Sequence, residues 1–248
     1  MGYLSYDWIS FHGLMGDPFS TTPLKSDLDF QRLFVKTKEV SEFVDPIVSH
    51  FVTSRANFTV IGGTRGIGKS TVLHYLHYML SNKEGVLSVY TTQQTERIER
   101  QLNPNYHIGY DTLYQIMNNV LLSLSYKFPD CVKKHSSKLN KVDEAVGFDL
   151  SERTGVNHAE SSFGVLSERL RILCEVLKSE DIKTFVTIDN YDRHSEDIAI
   201  KFLEGEFAQP VFEILQDAGM SITMTVDQLW IKRIVDNRDL TDCLRFCA

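Results

Sequence analysis

One segment constrains the fold more than any other, the glycine-rich stretch Gly63-Thr64-Arg65-Gly66-Ile67-Gly68-Lys69-Ser70 with its Gly-x4-Gly-Lys-Ser spacing. It directly follows a short β-branched run, Phe58-Thr59-Val60-Ile61, and it opens a segment with helical spacing, Lys69 to Leu80. The run is typical of a buried parallel strand, and a glycine loop between such a strand and a helix is the start of an α/β sheet.

The composition of this loop suits a phosphate chain. Gly63, Gly66 and Gly68 let the backbone approach closely, and N–H groups at a helix N-terminus attract the negative charge. Lys69 is expected to reach the β and γ oxygens and Ser70 to offer its hydroxyl to Mg²⁺, with Thr71 near the α-phosphate. We therefore predict a P-loop that binds ATP and Mg²⁺ through Gly63, Thr64, Arg65, Gly66, Ile67, Gly68, Lys69, Ser70 and Thr71. Whether Arg65 faces phosphate or solvent stays open.

A nucleotide-bound magnesium ion also needs a carboxylate at the end of another buried strand. The run Phe185-Val186-Thr187-Ile188 ends in Asp189, which fits this role. An aspartate in that position is also a common turn or capping residue, so both interpretations stand.

Together these motifs resemble AAA+ ATPases of the origin-recognition and replication-initiator type, and the neighbouring STAND signalling ATPases. The resemblance covers most of the chain and is carried by Asp17-Pro18-Phe19, Leu33-Phe34-Val35, the glycine loop, Ile188-Asp189-Asn190-Tyr191-Asp192 and Thr223-Met224-Thr225. It implies a three-layer P-loop NTPase, with a central parallel sheet and helices on both faces. The alternation of strand and helix patterns along the chain favours the same α/β class.

The resemblance also implies roles for individual residues. Asp189 would hold Mg²⁺ through water, and the next residue would usually be a glutamate that takes a proton from the attacking water. This chain has Asn190 there, and losing a general base typically costs roughly 10² to 10⁴ in rate. We therefore expect an ATPase with slow hydrolysis, or binding without useful hydrolysis, unless Asp192 or Glu196 substitutes.

Two further roles follow from the resemblance. A polar residue near the γ-phosphate would be Thr225 or, as the second choice, Thr223, although alternating threonines are also ordinary strand residues. An arginine finger would be Arg233 or Arg238, although an ordinary exposed arginine is the simpler interpretation of each.

The expected organisation is an N-terminal strap at 1–36 and a P-loop ATPase core at 37–248. The helical lid and the winged-helix module that the resemblance implies would not fit in the remaining residues, which predicts either a fragment or a minimal protein that depends on partners. The expected function is a nucleotide-dependent switch that associates with itself or with another protein. The alternatives are a replication-initiator-like DNA-binding ATPase, a nucleotide-stabilised scaffold without turnover, and a small-molecule kinase.

Composition limits the other function classes. A net charge of −7 argues against general attraction to nucleic acid. DNA contact would have to be local, for example at Lys133, Lys134, His135, Lys138 and Lys141, for which a solvated loop is the simpler interpretation. These lysines lie in Phe128–Ser161, a predicted long irregular connection with room for short helices. The absence of a long apolar run or leader pattern predicts a cytoplasmic protein without membrane contact.

Overall fold

The computed structural model describes residues 38–53, 58–64, 66–92, 108–146, 156–191, 215, 219–231 and 244–247. The helices and strands are α1 (Lys38–Thr53), β1 (Phe58–Gly62), α2 (Lys69–Ser81), β2 (Val86–Thr92), α3 (Ile108–Lys127), α4 (Pro129–Lys134), α5 (Ser136–Val146), α6 (Val156–Ser179), β3 (Lys183–Asp189), β4 (Met220–Val226) and β5 (Leu244–Cys247).

The five strands form one sheet in the order β2-β3-β4-β1-β5, and every neighbouring pair is parallel. Parallel neighbours require crossover connections. In the described residues, α2 connects β1 to β2, and α3 to α6 connect β2 to β3. The strand that precedes the glycine loop, β1, is separated from the strand that ends in Asp189, β3, by β4. Because all carboxyl ends meet at one edge, the glycine loop, Asp189 and the end of β4 lie along the same edge of the sheet.

Helices cover both faces of the sheet. On one face, α1 and α2 pack against a cluster that includes Ile61, Val86 and Phe185. On the other, α3, α5 and α6 pack against a larger cluster that includes Val60, Val186 and Ile222. A sheet buried on both faces explains why β4 is buried at all seven positions. The predicted α/β class, with a parallel sheet between two helical layers, is confirmed.

The main difference from the sequence expectation lies after α3. The stretch from Phe128 to Val146, expected to be largely irregular, forms α4 and α5 joined at His135. Its few apolar side chains nevertheless have helical spacing, and Leu139 and Val142 are buried against the core. The spacing of apolar residues also predicts a helix at Ile198–Asp217, which lies almost wholly outside the described residues.

None of the helices in the described part of the chain combines the length and the apolar composition needed to cross a bilayer.

Candidate functional site

The glycine loop turns from β1 into α2 through backbone conformations that side chains rarely adopt. Gly66 and Gly68 have φ angles of 88° and 98°, in the region that favours glycine. Within the turn, the N–H of Ile67 donates to the carbonyl of Thr64 at 3.4 Å. The loop therefore has the compact backbone that a close approach to phosphate requires.

The N-terminus of α2 is suited to an anion. Gly68 caps the helix without a side-chain hydrogen bond, and the first turn contains no acidic residue that would compete for the N–H groups. The helix dipole adds partial positive charge at the same point. These features favour a bound phosphate group at this helix end.

Lys69 lies over the loop instead of extending into solvent. Its ammonium group donates to the carbonyl oxygens of Gly63 at 2.7 Å and of Thr64 at 3.1 Å, and the residue is only 8% exposed. A buried cation held by two carbonyls at the mouth of the loop is positioned to neutralise a phosphate chain.

Asp189 links β3 to the first turn of α2. Its Oδ1 accepts hydrogen bonds from the hydroxyl of Ser70 at 2.9 Å and from the backbone N–H of Asn190 at 2.8 Å. Its Oδ2 accepts a hydrogen bond from the hydroxyl of Tyr90 at 2.5 Å. The structure thus brings together the hydroxyl and the carboxylate that were predicted to hold Mg²⁺, and oxygen ligands of this kind are those that Mg²⁺ prefers.

Thr225 lies at the same edge, on the strand between these two groups. It is opposite Ile61 in the register of β4 with β1, near the start of the loop. Its neighbour Met224 belongs to the core on the far face, so Thr225 points to the α2 side. Within the described part of the chain, the buried hydroxyls of Thr225 and Thr223 have no hydrogen-bond partner. Thr225 is therefore the better placed of the two for a ligand at the edge of the sheet.

Asn190 has a backbone role that its sequence position does not reveal. Its φ of 61° is left-handed, a conformation that asparagine tolerates better than most residues. This turn ends β3 and directs the N–H of Asn190 onto the preceding carboxylate. Asn190 therefore also has a structural role, because it forms the turn whose N–H group orients the Asp189 carboxylate.

Sequence reasoning missed the contribution of β2. Tyr90 donates to Asp189, and its ring stacks on His74 of α2, with centroids 3.9 Å apart and planes at 13°. His77, one turn later, contacts the hydroxyl of Ser88 at 2.9 Å. A usable signal existed, since Ser70, His74 and His77 recur at the spacing of one helix face. His74 and His77 therefore pack against Tyr90, beside the carboxylate that is a candidate magnesium ligand.

Several predicted residues lie outside the described part of the chain: Arg65, Asp192, Glu196, Arg233 and Arg238. The lysines proposed as a local nucleic-acid contact do lie within it. Three members of that group contact carboxylates: Lys134 Nζ and His135 Nε2 lie 2.6 and 2.7 Å from Glu180 Oε1, and Lys133 Nζ lies 3.4 Å from Asp130 Oδ1.

The identity of the base is a separate question. The chain contains the tetrapeptide Asn140-Lys141-Val142-Asp143, which has the Asn-Lys-x-Asp spacing of an element that reads guanine. It lies inside α5, with Val142 buried in the cluster on the face of the sheet opposite α2. The match is therefore part of a packed helix, and the expectation of adenine stays a prediction.

Comparisons with known proteins give distant similarities. No protein-family model matches the chain. It is 23% identical over 189 residues to an uncharacterized HTH-type transcriptional regulator of Methanocaldococcus jannaschii, a match that covers 76% of this chain and 42% of that protein. The ORC2 protein of Aeropyrum pernix, solved in ADPNP–ADP complexes, aligns with a TM-score of 0.48 and 13% identity over 86% of this chain and 47% of that one. The chain spans less than half the length of either protein.

Proposed function

We propose that this chain is an ATP-binding domain of the AAA+/STAND type that acts as a nucleotide-dependent switch and hydrolyses ATP slowly. The observation that carries the proposal is the contact between Ser70 and Asp189 at the mouth of a positive-φ glycine loop. Residues 119 positions apart in sequence meet there, at the edge where the strands of a parallel sheet end.

Each group at this edge has a distinct task in the proposal. The backbone N–H groups from Gly66 to Thr71 bind the phosphate oxygens, and the ammonium group of Lys69 neutralises their charge. Ser70 and Asp189 hold Mg²⁺, which supplies electrostatic stabilisation of charge on the phosphates. The hydroxyl of Thr225 is available to a γ-phosphate or to a water molecule beside it.

Slow turnover follows from the residue after Asp189. An amide does not take a proton from water at neutral pH, and Asn190 occupies the position where the family resemblance implies a glutamate. We propose that nucleotide occupancy, more than its hydrolysis, changes how the domain associates with itself or with a protein partner. Sedimentation with and without ATP and Mg²⁺ would test this, and an unchanged mass and partner profile would argue against a switch.

The first experiment measures binding of a fluorescent ATP analogue to the natural chain and to Lys69→Ala. We expect the natural chain to bind and Lys69→Ala to lose most of its affinity. The matched control is Lys138→Ala, an exposed lysine of α5, which should bind as the natural chain does. Equal binding by all three proteins would refute the loop assignment. Competition by ATP and GTP in the same assay tests the expected preference for adenine.

A second experiment separates the two features of Asn190. Asn190→Asp supplies a carboxylate and still suits a left-handed backbone, whereas Asn190→Glu supplies one with added strain of roughly 1 kcal/mol. If this position faces the attacking water, both variants should hydrolyse ATP faster, and Asn190→Asp should remain the more stable. If neither variant is faster, the base lies elsewhere, with Asp192 and Glu196 as the next residues to replace.

A DNA-linked function is the second candidate, because the archaeal relative is named a transcriptional regulator of the HTH type. Against direct binding by this chain stand the net charge of −7 and the pairing of Lys134 and His135 with Glu180. Binding to duplex DNA that weakens steeply with salt would support this candidate. No binding at low salt would exclude it for this chain.

A further inference from the structure

We propose that Tyr90 is a positioning residue for the magnesium site, an inference that rests on the proposed function. It lies on β2, an outer strand of the sheet that is two strands away from β4. Its hydroxyl donates to Asp189 Oδ2, the carboxylate oxygen that is not bonded to Ser70. The proposal is that this hydrogen bond fixes the rotation of the Asp189 carboxylate, so that Oδ1 stays directed at Ser70 and the cation.

Both oxygens of the Asp189 carboxylate accept hydrogen bonds, and the donors come from different parts of the chain. Oδ1 receives the hydroxyl of Ser70 from α2 and the backbone N–H of Asn190, and Oδ2 receives the phenol of Tyr90. Asp189 is 5% exposed, so water does little to orient it. With Tyr90 removed, Oδ2 would lose this donor and the carboxylate could rotate away from the geometry that suits a cation.

Tyr90 is itself held in place. Its ring stacks flat on His74 at 3.9 Å, and His77 lies edge-on at 6.0 Å. Both histidines belong to the helix that begins in the glycine loop, so α2 fixes the ring that in turn orients Asp189. A rigid outer contact of this kind is how proteins direct the ligands of a metal site.

The contact between the two side chains joins a neutral donor, the phenol of Tyr90, to a carboxylate acceptor, Asp189. Hydrogen bonds of a neutral donor to a charged acceptor are among the stronger ones in proteins.

Tyr90→Phe tests the proposal, because it removes the hydroxyl and keeps the ring on His74. The measured quantity is the factor by which Mg²⁺ tightens binding of a fluorescent ATP analogue, from dissociation constants in excess Mg²⁺ and in EDTA. We expect Tyr90→Phe to bind normally in EDTA and to lose about tenfold or more of the magnesium-dependent gain. Tyr126→Phe, an 81% exposed tyrosine of α3, is the matched control and should keep the full gain.

The outcomes separate this inference from the proposed function. If the natural chain shows a magnesium-dependent gain and Tyr90→Phe keeps it, Tyr90 does not position the site and the inference is wrong. Equal weakening in EDTA and in Mg²⁺ would indicate a structural role only, and would also overturn it. If the natural chain binds no nucleotide in either condition, the proposed function itself fails.

Discussion

Replacing Thr225 by valine should make the nucleotide-free protein more stable and should slow the proposed ATP turnover. Thr225 is fully buried at the end of β4, and within the described residues its hydroxyl has no hydrogen-bond partner. A valine side chain has nearly the same shape and favours strands. The substitution therefore removes an unpaired polar group without opening a cavity.

The size of the effect follows from the cost of that hydroxyl. Burying a hydroxyl without a partner costs roughly 1–3 kcal/mol by protein mutational data. Because the threonine can reorient slightly, we expect Thr225→Val to raise the free energy of unfolding by about 1 kcal/mol, near the low end of that range. For a chain of this size that corresponds to an increase in Tm of about 2–4 °C.

Thr223→Val provides the matched control. Thr223 lies two residues earlier on β4, faces the same side of the sheet, is equally buried and also has an unpartnered hydroxyl in the described structure. Thr223 lies two residues further from the carboxyl end of β4. Both variants should gain stability, whereas only Thr225→Val should slow ATP turnover, by about tenfold or more if the hydroxyl acts on the γ-phosphate.

The assays are thermal and urea unfolding without nucleotide, and phosphate release over long incubations with ATP and Mg²⁺. A loss of about 1 kcal/mol or more in both variants would refute the view that these hydroxyls are unsatisfied. Equal turnover in Thr223→Val and Thr225→Val would remove Thr225 from the site.

Two further predictions concern the loop and the surface. Gly68→Ala should lower the free energy of unfolding by roughly 1–2 kcal/mol, because its Cβ would meet no atom within 4 Å and the cost is the φ of 98° alone. Gly219→Ala, at φ 68° and equally open, should lose similar stability in urea unfolding yet bind nucleotide normally, whereas Gly68→Ala should bind poorly. Hydrogen bonds from Lys134 and His135 lower the pKa of Glu180 below 4.5. Its contribution to stability is therefore present above that pH and lost in acid, so the difference in Tm between the natural chain and Glu180→Gln should shrink from about pH 7 to about pH 3.

Much of the fold could be predicted because the strands are buried on both faces. Runs such as Phe58–Ile61 and Thr184–Ile188 contain β-branched and aromatic residues, and each ends in a loop former or a carboxylate. These patterns depend on neighbouring residues only, so a single sequence contains them. The helices α4 and α5 were harder to predict, because they are short, rich in charge and bury few side chains in the core, Cys131 in α4 and Leu139 and Val142 in α5.

The site divides in the same way. The residues of the glycine loop are adjacent in sequence, and their spacing alone predicted the phosphate-binding loop. Tyr90 is not local, since its role depends on β2 lying beside β3 and on the ring of His74. No motif around Tyr90 indicates that it meets a carboxylate 99 positions later.

A motif comparison makes the residue after Asp189 the main determinant of ATP hydrolysis. The strand order places a further polar group in the candidate site. With β4 between β1 and β3, the site has a buried hydroxyl, Thr225, between the glycine loop and Asp189. Asn190 turns the chain away at that point through a left-handed backbone, and its N–H is bonded to the carboxylate. A glutamate at this position would carry the strain of a left-handed backbone, which asparagine tolerates better. The proposed turnover therefore depends on this backbone as well as on the residue type, and the comparison of Asn190→Asp with Asn190→Glu separates the two.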